Sequence, residues 1–235
     1  MSTDALGRLR TANPFTIFNY YPSIRTSTNL DQDIWYSSVG GTSTQTYNTD
    51  NYVAMTINNN NDYCIRLTKS PMEYQPGKSR LILNTCVPLF GTVGSNIVTS
   101  RIGIFNIDSS TPPQITDGIY FQTNGSNLQF CESISALSTV TTVNQSNWNI
   151  DIFDGNGPSG KILTIANLQT TMLLAFDQEW LGVGSVRCGF NIDGVLYYAH
   201  QFFNSGLSIQ YSKTPRLNIG FYILGTTVNS PLTLR

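Results

Sequence analysis

The chain has 235 residues and a formal net charge of −1, and 11% of its residues are charged, whereas soluble proteins average about 25%. This balance argues against nucleic-acid binding, since the closest approach to a basic cluster is Arg8 with Arg10. No stretch approaches the roughly 18 consecutive apolar residues of a membrane span, and the first residues lack the apolar region of a signal peptide, so we expect no membrane partner and synthesis in a cytoplasm.

Residues 1–30 are predicted to form an extended N-terminal arm. Their polar and apolar residues follow no fixed period, and Pro14 and Pro22 interrupt any regular element. The apolar side chains of the arm need burial, either along their own domain or against a neighbouring subunit, and we expect a docking role. The residues assigned to docking are Arg8, Arg10, Phe15, Ile17, Phe18 and Tyr20.

Residues 31–235 are predicted to form an all-β domain. Alternating polar and apolar residues, many of them β-branched, indicate about a dozen short strands joined by turns, and helix signals are confined to 165–171. Asp193-Gly194 suits the two positive-φ positions of a type I′ hairpin turn. We therefore expect a single antiparallel β-sandwich, of jelly-roll or concanavalin-like type. The predicted strands are 52–57, 63–69, 80–87, 97–107, 118–123, 128–133, 161–165, 172–180, 184–192, 195–203, 207–211 and 217–224.

The four cysteines are predicted to be buried free thiols. They are widely spaced within apolar runs, and no Cys-x-x-Cys or Cys/His pair supports a metal site. They are Cys64, Cys86, Cys131 and Cys188.

A polar loop around residue 151 carries the one weak candidate for a cation site. Asp151 and Asp154, with Asn149 and Asn156, could offer oxygen ligands to Ca²⁺. The spacing is not that of an EF-hand, and no glutamate follows at the required distance. Asp and Asn are also common turn formers, so we predict a turn, with no metal and no cofactor.

No catalytic constellation stands out, and we predict that the chain is not an enzyme. His200 is the single histidine and lies within a predicted strand, without a Gly-x-Ser-x-Gly motif to supply a nucleophile. Asp177 and Glu179 share one strand face, which leaves a glycosidase as an alternative. No second strand offers an obvious partner acid.

Most of the aromatic residues are expected in the core, with one exception. Trp148 follows a segment, 144–149, that is too polar for a central strand. We therefore assign Trp148 as a possible glycan contact, because exposed indole rings stack on sugars.

Four blocks of the sequence resemble a family of virion structural proteins of tailed phages, especially phages of aquatic bacteria. Residues 4–18, DALGRLRTANPFTIF, are similar to that family's opening, DAFGRLRVS-P-TLFD. The other blocks are YQPGKS at 74–79, WNID with DGNGPSG between 148 and 160, and EWLGVGSVRCGF at 179–190. The resemblance implies a β-sandwich component of the virus particle and no catalytic set.

The expected function is therefore that of a non-enzymatic virion protein, associated with the capsid or the tail. We expect it to assemble through its arm and its sandwich faces with other virion proteins and with copies of itself, as a homotrimer by analogy with viral sandwiches. A low-charge surface rich in hydroxyls and amides suits such contacts. The alternative is a receptor-recognition module of the virion that binds host-surface glycans.

Overall fold

The computed structural model describes residues 16–20, 22, 31–48, 50–75, 78–90, 97–135, 138–179 and 183–235. Within these ranges the regular elements are strands and two short 3₁₀ turns, Gln145–Asn147 and Ile165–Gln169, and no helix there is long and apolar enough to cross a membrane. The strands are β1 (Trp35–Gly40), β2 (Thr44–Tyr47), β3 (Val53–Ile57), β4 (Tyr63–Thr68), β5 (Arg80–Cys86), β6 (Ile97–Ile107), β7 (Ile115–Asn124), β8 (Asn127–Ile134), β9 (Thr139–Asn144), β10 (Met172–Gln178), β11 (Val186–Ile192), β12 (Val195–Phe202), β13 (Asn218–Thr227) and β14 (Leu232–Leu234).

These strands form three antiparallel sheets. The largest has the order β1-β4-β13-β6-β7-β8-β9, the second the order β12-β11-β10-β5, and the smallest the order β14-β3-β2. Every hydrogen-bonded pair of strands is antiparallel. The prediction of an all-β, antiparallel sandwich is confirmed.

The seven-stranded and four-stranded sheets enclose one hydrophobic core between them. Because side chains alternate along a strand, Ile102 and Ile104 of β6 point into this core, while Phe105 belongs to a second buried cluster on the other face of the sheet. Phe130 of β8 meets Phe176 of β10 across the interior, with ring centroids 6.2 Å apart in an edge-on arrangement. Burying each such side chain contributes about 1.5–3 kcal/mol, so apolar packing holds the two layers together.

The hairpin between β11 and β12 turns where the sequence indicates it. Ile192 pairs with Val195, and both residues between them have positive φ, 55° at Asp193 and 80° at Gly194. These values are those of a type I′ turn, and the prediction is confirmed.

Two predicted strands are wrong. In the segment 161–165, Ile162 makes only an isolated bridge to Asp154, and a 3₁₀ turn then begins at Ile165. The segment 207–211 forms no strand; its Tyr211 is buried in the core from a loop. Apolar side chains spaced in alternation are equally compatible with a loop that packs on the sandwich.

Four strands are present that alternation did not predict, namely β1, β2, β9 and β14. The β9 sequence, TVTTVN, is mostly polar because this strand forms the edge of the large sheet and is exposed along most of its length. β14 is only three residues long and pairs with β3 far from it in sequence. Such strands are formed by their neighbours in the fold rather than by a pattern of their own.

All four cysteines are buried and free, as predicted. Burial raises the pKa of Cys64 to about 12 and that of Cys131 to about 11. The thiols are therefore protonated and act as small apolar groups in the packing.

The described part of the N-terminal arm packs against its own sandwich. The rings of Phe18 and Tyr20 lie edge-on against Trp35 of β1, at centroid distances of 6.3 and 5.1 Å. The Tyr20 hydroxyl donates to the Asp31 carboxylate and accepts from Arg66 Nη2 at 3.2 Å. Phe18 and Tyr20 thus contact their own sandwich but stay partly exposed, and their docking onto a neighbouring subunit remains a prediction.

The remaining arm residues have separate outcomes. Ile17 is 44% exposed and stays available for a contact with another molecule. Arg8, Arg10 and Phe15 lie outside the described residues.

Candidate functional site

The outer face of the seven-stranded sheet carries a row of polar side chains across four neighbouring strands. Alternation along β6 places Arg101 on the face opposite to the core. The strand register sets Arg101 opposite Gln122 of β7, Gln122 opposite Gln129 of β8, and Gln129 opposite Asn144 of β9. We call these four residues the polar ladder.

Hydrogen bonds join the polar ladder from end to end. Arg101 Nε donates to Gln122 Oε1 at 2.8 Å, Gln122 Nε2 donates to Gln129 Oε1 at 2.7 Å, and Gln129 Nε2 donates to Asn144 Oδ1 at 2.7 Å. A guanidinium has donors only, so it forces the oxygen of Gln122 toward itself. Each amide in turn then orients the next, and Arg101 fixes the direction of the whole ladder.

Tyr222 of β13 extends the polar ladder on its other side. The Arg101 guanidinium carbon lies 5.1 Å from the centroid of the Tyr222 ring, within the range of a cation–π contact. The Tyr222 hydroxyl donates to the Pro113 carbonyl at 3.0 Å, and burial raises the pKa of this phenol to about 12. The ring is thus a neutral, fixed support for the cation.

The ladder face is free of carboxylates among the outward side chains of β6 to β9. The two acidic residues of these strands point the other way: Glu132 lies on the core side with Phe130, and Asp117 accepts hydrogen bonds from Ser135 and Lys213. In the described part of the chain, no Asp or Glu forms an ion pair with Arg101. The outward positions of β6 to β9 therefore carry amides and one cation and, among the described residues, no carboxylate, and the two glutamines are buried, at 9% and 8% exposure.

An open depression of about 750 Å³ lies on the same side of the sheet. Its lining includes Tyr36, Leu67, Lys69, Asp108 and Asn218. The Tyr36 side chain is 46% exposed and presents an aromatic surface beside these polar groups. Such a combination of an aromatic wall and a few polar groups is common in sites for small polar ligands.

Two glycines connect the depression to the ladder. Leu67 pairs with Gly220, and Gly220 pairs with Gly103, two residues from Arg101. A Cβ atom at Gly220 would lie 2.5 Å from both Leu67 Cδ2 and Phe105 Cζ. Glycine is therefore required for the Phe105 ring to lie across the sheet between the two parts of the face.

The assignment of Trp148 as an exposed glycan contact is wrong. Only 4% of this residue is exposed, and its ring packs on Phe130 and Phe190 at centroid distances of 4.8 and 6.0 Å. Its Nε1 donates to the Val143 carbonyl at 3.2 Å. The 3₁₀ turn that follows β9 carries the polar residues 145–147 on the surface and directs the indole into the core.

The calcium candidates serve as acceptors within their own loop. Asp151 Oδ1 accepts from the amide of Phe153 and Asp151 Oδ2 from the amide of Ser159, both at 2.8 Å, while Asp154 Oδ1 accepts from the amide of Asn156 at 2.8 Å. In the ranges that the structure describes, no group of three or more His, Cys, Asp or Glu residues could hold a metal ion. The two carboxylates stabilise turns, as their sequence context predicts.

Asp177 and Glu179 are fully buried on the four-stranded sheet and its end. Asp177 Oδ2 accepts from Arg187 Nη2 at 2.8 Å and from the Tyr198 hydroxyl at 2.9 Å. The Tyr74 hydroxyl donates to Glu179 Oε1 at 3.5 Å. A substrate cannot reach these carboxylates without a rearrangement, so their arrangement is that of a structural ion-pair cluster.

His200 is a packed strand residue, as expected. Its ring lies edge-on to Phe202 at 4.6 Å, and its Nδ1 accepts from the amide of Asn149 at 3.3 Å. Burial lowers the pKa of His200 to about 4, so the imidazole is neutral near pH 7. The acceptor contact with the amide requires this neutral form at Nδ1.

No protein family model and no curated protein matches the sequence, but solved structures share the fold. The β-glucanase of Bacillus licheniformis has a TM-score of 0.55 at 15% identity, over 96% of this chain and 95% of that chain. The Emp46p carbohydrate recognition domain has a TM-score of 0.55 at 10% identity, over 92% and 93% of the two chains. The botulinum neurotoxin serotype D ligand binding domain gives 0.46 at 10% identity, and the match covers 86% of this chain but only 41% of that one. At these identities the first two comparisons show a shared β-sandwich fold.

Proposed function

We propose that this chain is a non-enzymatic carbohydrate-binding module, and that the outer face of its seven-stranded sheet is the binding face. The observation that carries the proposal is the open depression on that face, where the exposed Tyr36 and Lys69 lie beside Asn218. Sugar rings offer closely spaced hydroxyls, and planar amides can donate to and accept from neighbouring hydroxyls at once. The exposed Tyr36 supplies an aromatic surface beside the ladder for the apolar face of a ring.

The comparisons add support at the level of the fold. A β-glucanase and a carbohydrate recognition domain both have this sandwich, each with a TM-score of 0.55. A shared fold alone transfers no activity, so the proposal depends on the residues of this chain.

The absence of catalysis is part of the same proposal. Glycoside hydrolysis uses two carboxyl groups roughly 5–9.5 Å apart that flank the scissile bond. The outward positions of β6 to β9 have amides where such groups would be needed, and Asp177 and Glu179 are buried on the other sheet. Binding without hydrolysis is the chemistry that remains for a face of this composition.

We also propose that the module belongs to a virus particle and is made in the cytoplasm of the host. The support for this placement is the sequence resemblance to tailed-phage proteins at 4–18, 74–79, 148–160 and 179–190. A glycan-binding module on a virion would act in recognition of the host surface.

A glycan array with purified protein tests the binding face. We expect the wild-type chain to bind a defined set of saccharides, and Lys69→Ala and Tyr36→Ala each to lower the affinity at least tenfold. Val195→Ala, at an exposed position of the four-stranded sheet, is the control and should bind as the wild type does. Circular dichroism would confirm that each variant is folded. Failure of the wild type to bind any saccharide, or full binding by both variants, would contradict the proposal.

A second function, assembly with copies of the same chain, is favoured by the outer side of β5. This strand is the edge of the four-stranded sheet, and its outward Leu81 and Leu83 are 44% and 50% exposed. Exposed leucines side by side on an edge strand are typical of a contact surface. We propose that they contribute to a homotrimer.

Light scattering coupled to size exclusion tests the assembly proposal. The wild type should elute as a trimer, and Leu83→Lys should shift the population toward the monomer, because a buried charge at an interface is costly. The control is Thr85→Lys, a like charge at the next outward position of the same strand, for which we expect a smaller shift. A monomeric wild type, or a trimer unaffected by Leu83→Lys, would argue against this role for β5.

A further inference from the structure

Two side chains of opposite charge line the depression without pairing with each other. Lys69 and Asp108 both belong to its lining, and both are exposed. In the ranges that the structure describes, neither forms an ion pair, and Lys69 Nζ and Asp108 Oδ2 have no hydrogen-bond partner. A ligand in the depression can therefore reach one free cation and one free carboxylate oxygen.

The sheet sets the distance between these two charges. β4 and β6 each pair antiparallel with β13, so they run parallel to each other and end at the same edge of the sheet. Lys69 directly follows β4, Asp108 directly follows β6, and Asn218 at the start of β13 lies between them. Because neighbouring strands are about 4.8 Å apart, the backbones of Lys69 and Asp108 are separated by roughly 10 Å. With both side chains reaching inward, this separation suits a single sugar ring that carries a charged group on each side.

The Asp108 carboxylate is held in place by its own loop. Its Oδ1 accepts from the Gln114 amide at 2.8 Å, from the Ser110 hydroxyl, and from the Ser110 amide at 3.0 Å. These hydrogen bonds, that of the Gln114 amide first, hold the pKa of the Asp108 carboxyl below its ordinary value. The group is therefore ionised near neutral pH, and its second oxygen remains available to a donor of the ligand.

Neutral groups complete the site between the two charges. Tyr36 lies opposite Leu67, and Lys69 follows Leu67 by two residues on the same face, so the exposed aromatic ring is on the side of the cation. Asn218 Nδ2 donates to the Thr68 carbonyl, which leaves Asn218 Oδ1 to accept from a ring hydroxyl. The depression thus offers, in order across the sheet, an aromatic surface, a cation, an amide oxygen and a carboxylate.

We propose that the ligand of the depression is a zwitterionic amino sugar, whose acidic group binds Lys69 and whose ammonium group binds Asp108 while Tyr36 packs on the ring. This inference rests on the proposed carbohydrate-binding function and names its substrate class. A sugar with only one of the two charges gains one favourable contact and meets a like charge at the other side chain. Lys69 and Asp108 together therefore select a ligand that carries both charges.

The test is isothermal titration of the wild-type chain at pH 6 with four probes that share one ring. Glucosamine 6-sulfate carries both charges on opposite sides of the ring, N-acetylglucosamine 6-sulfate only the negative one, glucosamine only the positive one, and N-acetylglucosamine neither. We expect glucosamine 6-sulfate to bind at least tenfold more tightly than each of the other three. Because Lys69 and Asp108 are exposed, this preference should weaken as the salt concentration rises.

Two variants each remove one charge. Asp108→Asn keeps an Oδ1 acceptor for the amides of its loop, and we expect it to abolish the advantage of glucosamine 6-sulfate over N-acetylglucosamine 6-sulfate. Lys69→Gln should abolish its advantage over glucosamine. Both should leave the binding of N-acetylglucosamine within about twofold. The charge-matched controls are Asp193→Asn and Lys161→Gln, which remove the two members of an ion pair elsewhere on the surface and should change nothing.

The outcomes separate this inference from the proposed function. If glucosamine 6-sulfate binds no more tightly than N-acetylglucosamine, or if neither charge variant alters its preference, the zwitterionic ligand is excluded while carbohydrate binding on the array stands. If none of these probes and no saccharide on the array binds, both proposals fail.

Discussion

Replacing Trp148 by alanine is expected to lower the free energy of unfolding by about 3–5 kcal/mol. The indole is 4% exposed and touches Phe130, Phe153 and Phe190, so its removal leaves a cavity in the part of the core where both sheets meet. It also leaves the Val143 carbonyl without its donor. Urea denaturation followed by fluorescence of the remaining tryptophans would measure the loss.

Two control variants test whether the loss of stability comes from the buried position of the indole. Trp148→Phe should recover part of the stability, because it keeps an aromatic ring in the cluster. Tyr36→Ala, at an exposed position, should change stability by less than about 0.5 kcal/mol and yet weaken glycan binding. A Trp148→Ala protein as stable as the wild type would show that the indole does not lie in the core.

Glu132→Gln is expected to make the protein more stable at pH 8 and to change it little at pH 5. Burial raises the pKa of Glu132 to about 7 from an ordinary value near 4.5, and the hydrogen bond that Asn204 Nδ2 donates at 2.9 Å offsets only part of this rise. Between these two pKa values the folded state holds a proton that the unfolded state has lost, so stability falls as the pH rises from about 4.5 to 7 and is constant above that. A shift of this size corresponds to roughly 3 kcal/mol.

The measurement is the free energy of unfolding in urea at pH 5 and pH 8, for the wild type and the variant. The gain from Glu132→Gln at pH 8 should exceed its effect at pH 5 by about 3 kcal/mol. Glu73→Gln is the matched control, because Glu73 is exposed and pairs with Arg216 at the surface. If wild type and Glu132→Gln have parallel pH profiles, the carboxyl is not held neutral by its burial.

The sequence predicted the strands in which alternation and composition agree. The segment 97–107 matches β6 at both ends, and the turn at Asp193 and Gly194 matches in position and in the sign of φ. Strands without an alternating pattern of their own were not predicted, as β9 shows. An edge strand with one solvated face and many threonines has the same composition as a loop.

Two of the four residues of the polar ladder could be predicted to lie side by side from the sequence. Gln122 and Gln129 lie symmetrically about residues 124–127, which separate the predicted strands 118–123 and 128–133, so a hairpin there sets them opposite each other. Arg101 and Asn144 belong to strands joined to this hairpin by longer connections. Their register depends on the fold, and no local signal indicates that they continue the same row.

The error at Trp148 has a different cause. A polar segment before the tryptophan suggested an exposed position, but three surface residues in a 3₁₀ turn reverse the chain and carry the next residue inward. Composition of a segment describes its average environment, whereas burial is decided residue by residue. The aromatic residue with the required exposure, Tyr36, lies in a strand that the sequence did not predict.

The shared direction of the hydrogen bonds in the polar ladder depends on one residue. Four side chains from four strands share one polarity because the first of them, Arg101, can only donate. An acceptor-only residue at that single position would turn every amide in the row around, and the free groups at the far end, at Asn144, would reverse as well. This reversal would require no displacement of the backbone. The residue at position 101 thus determines the donor-to-acceptor direction of a row of hydrogen bonds that crosses four strands.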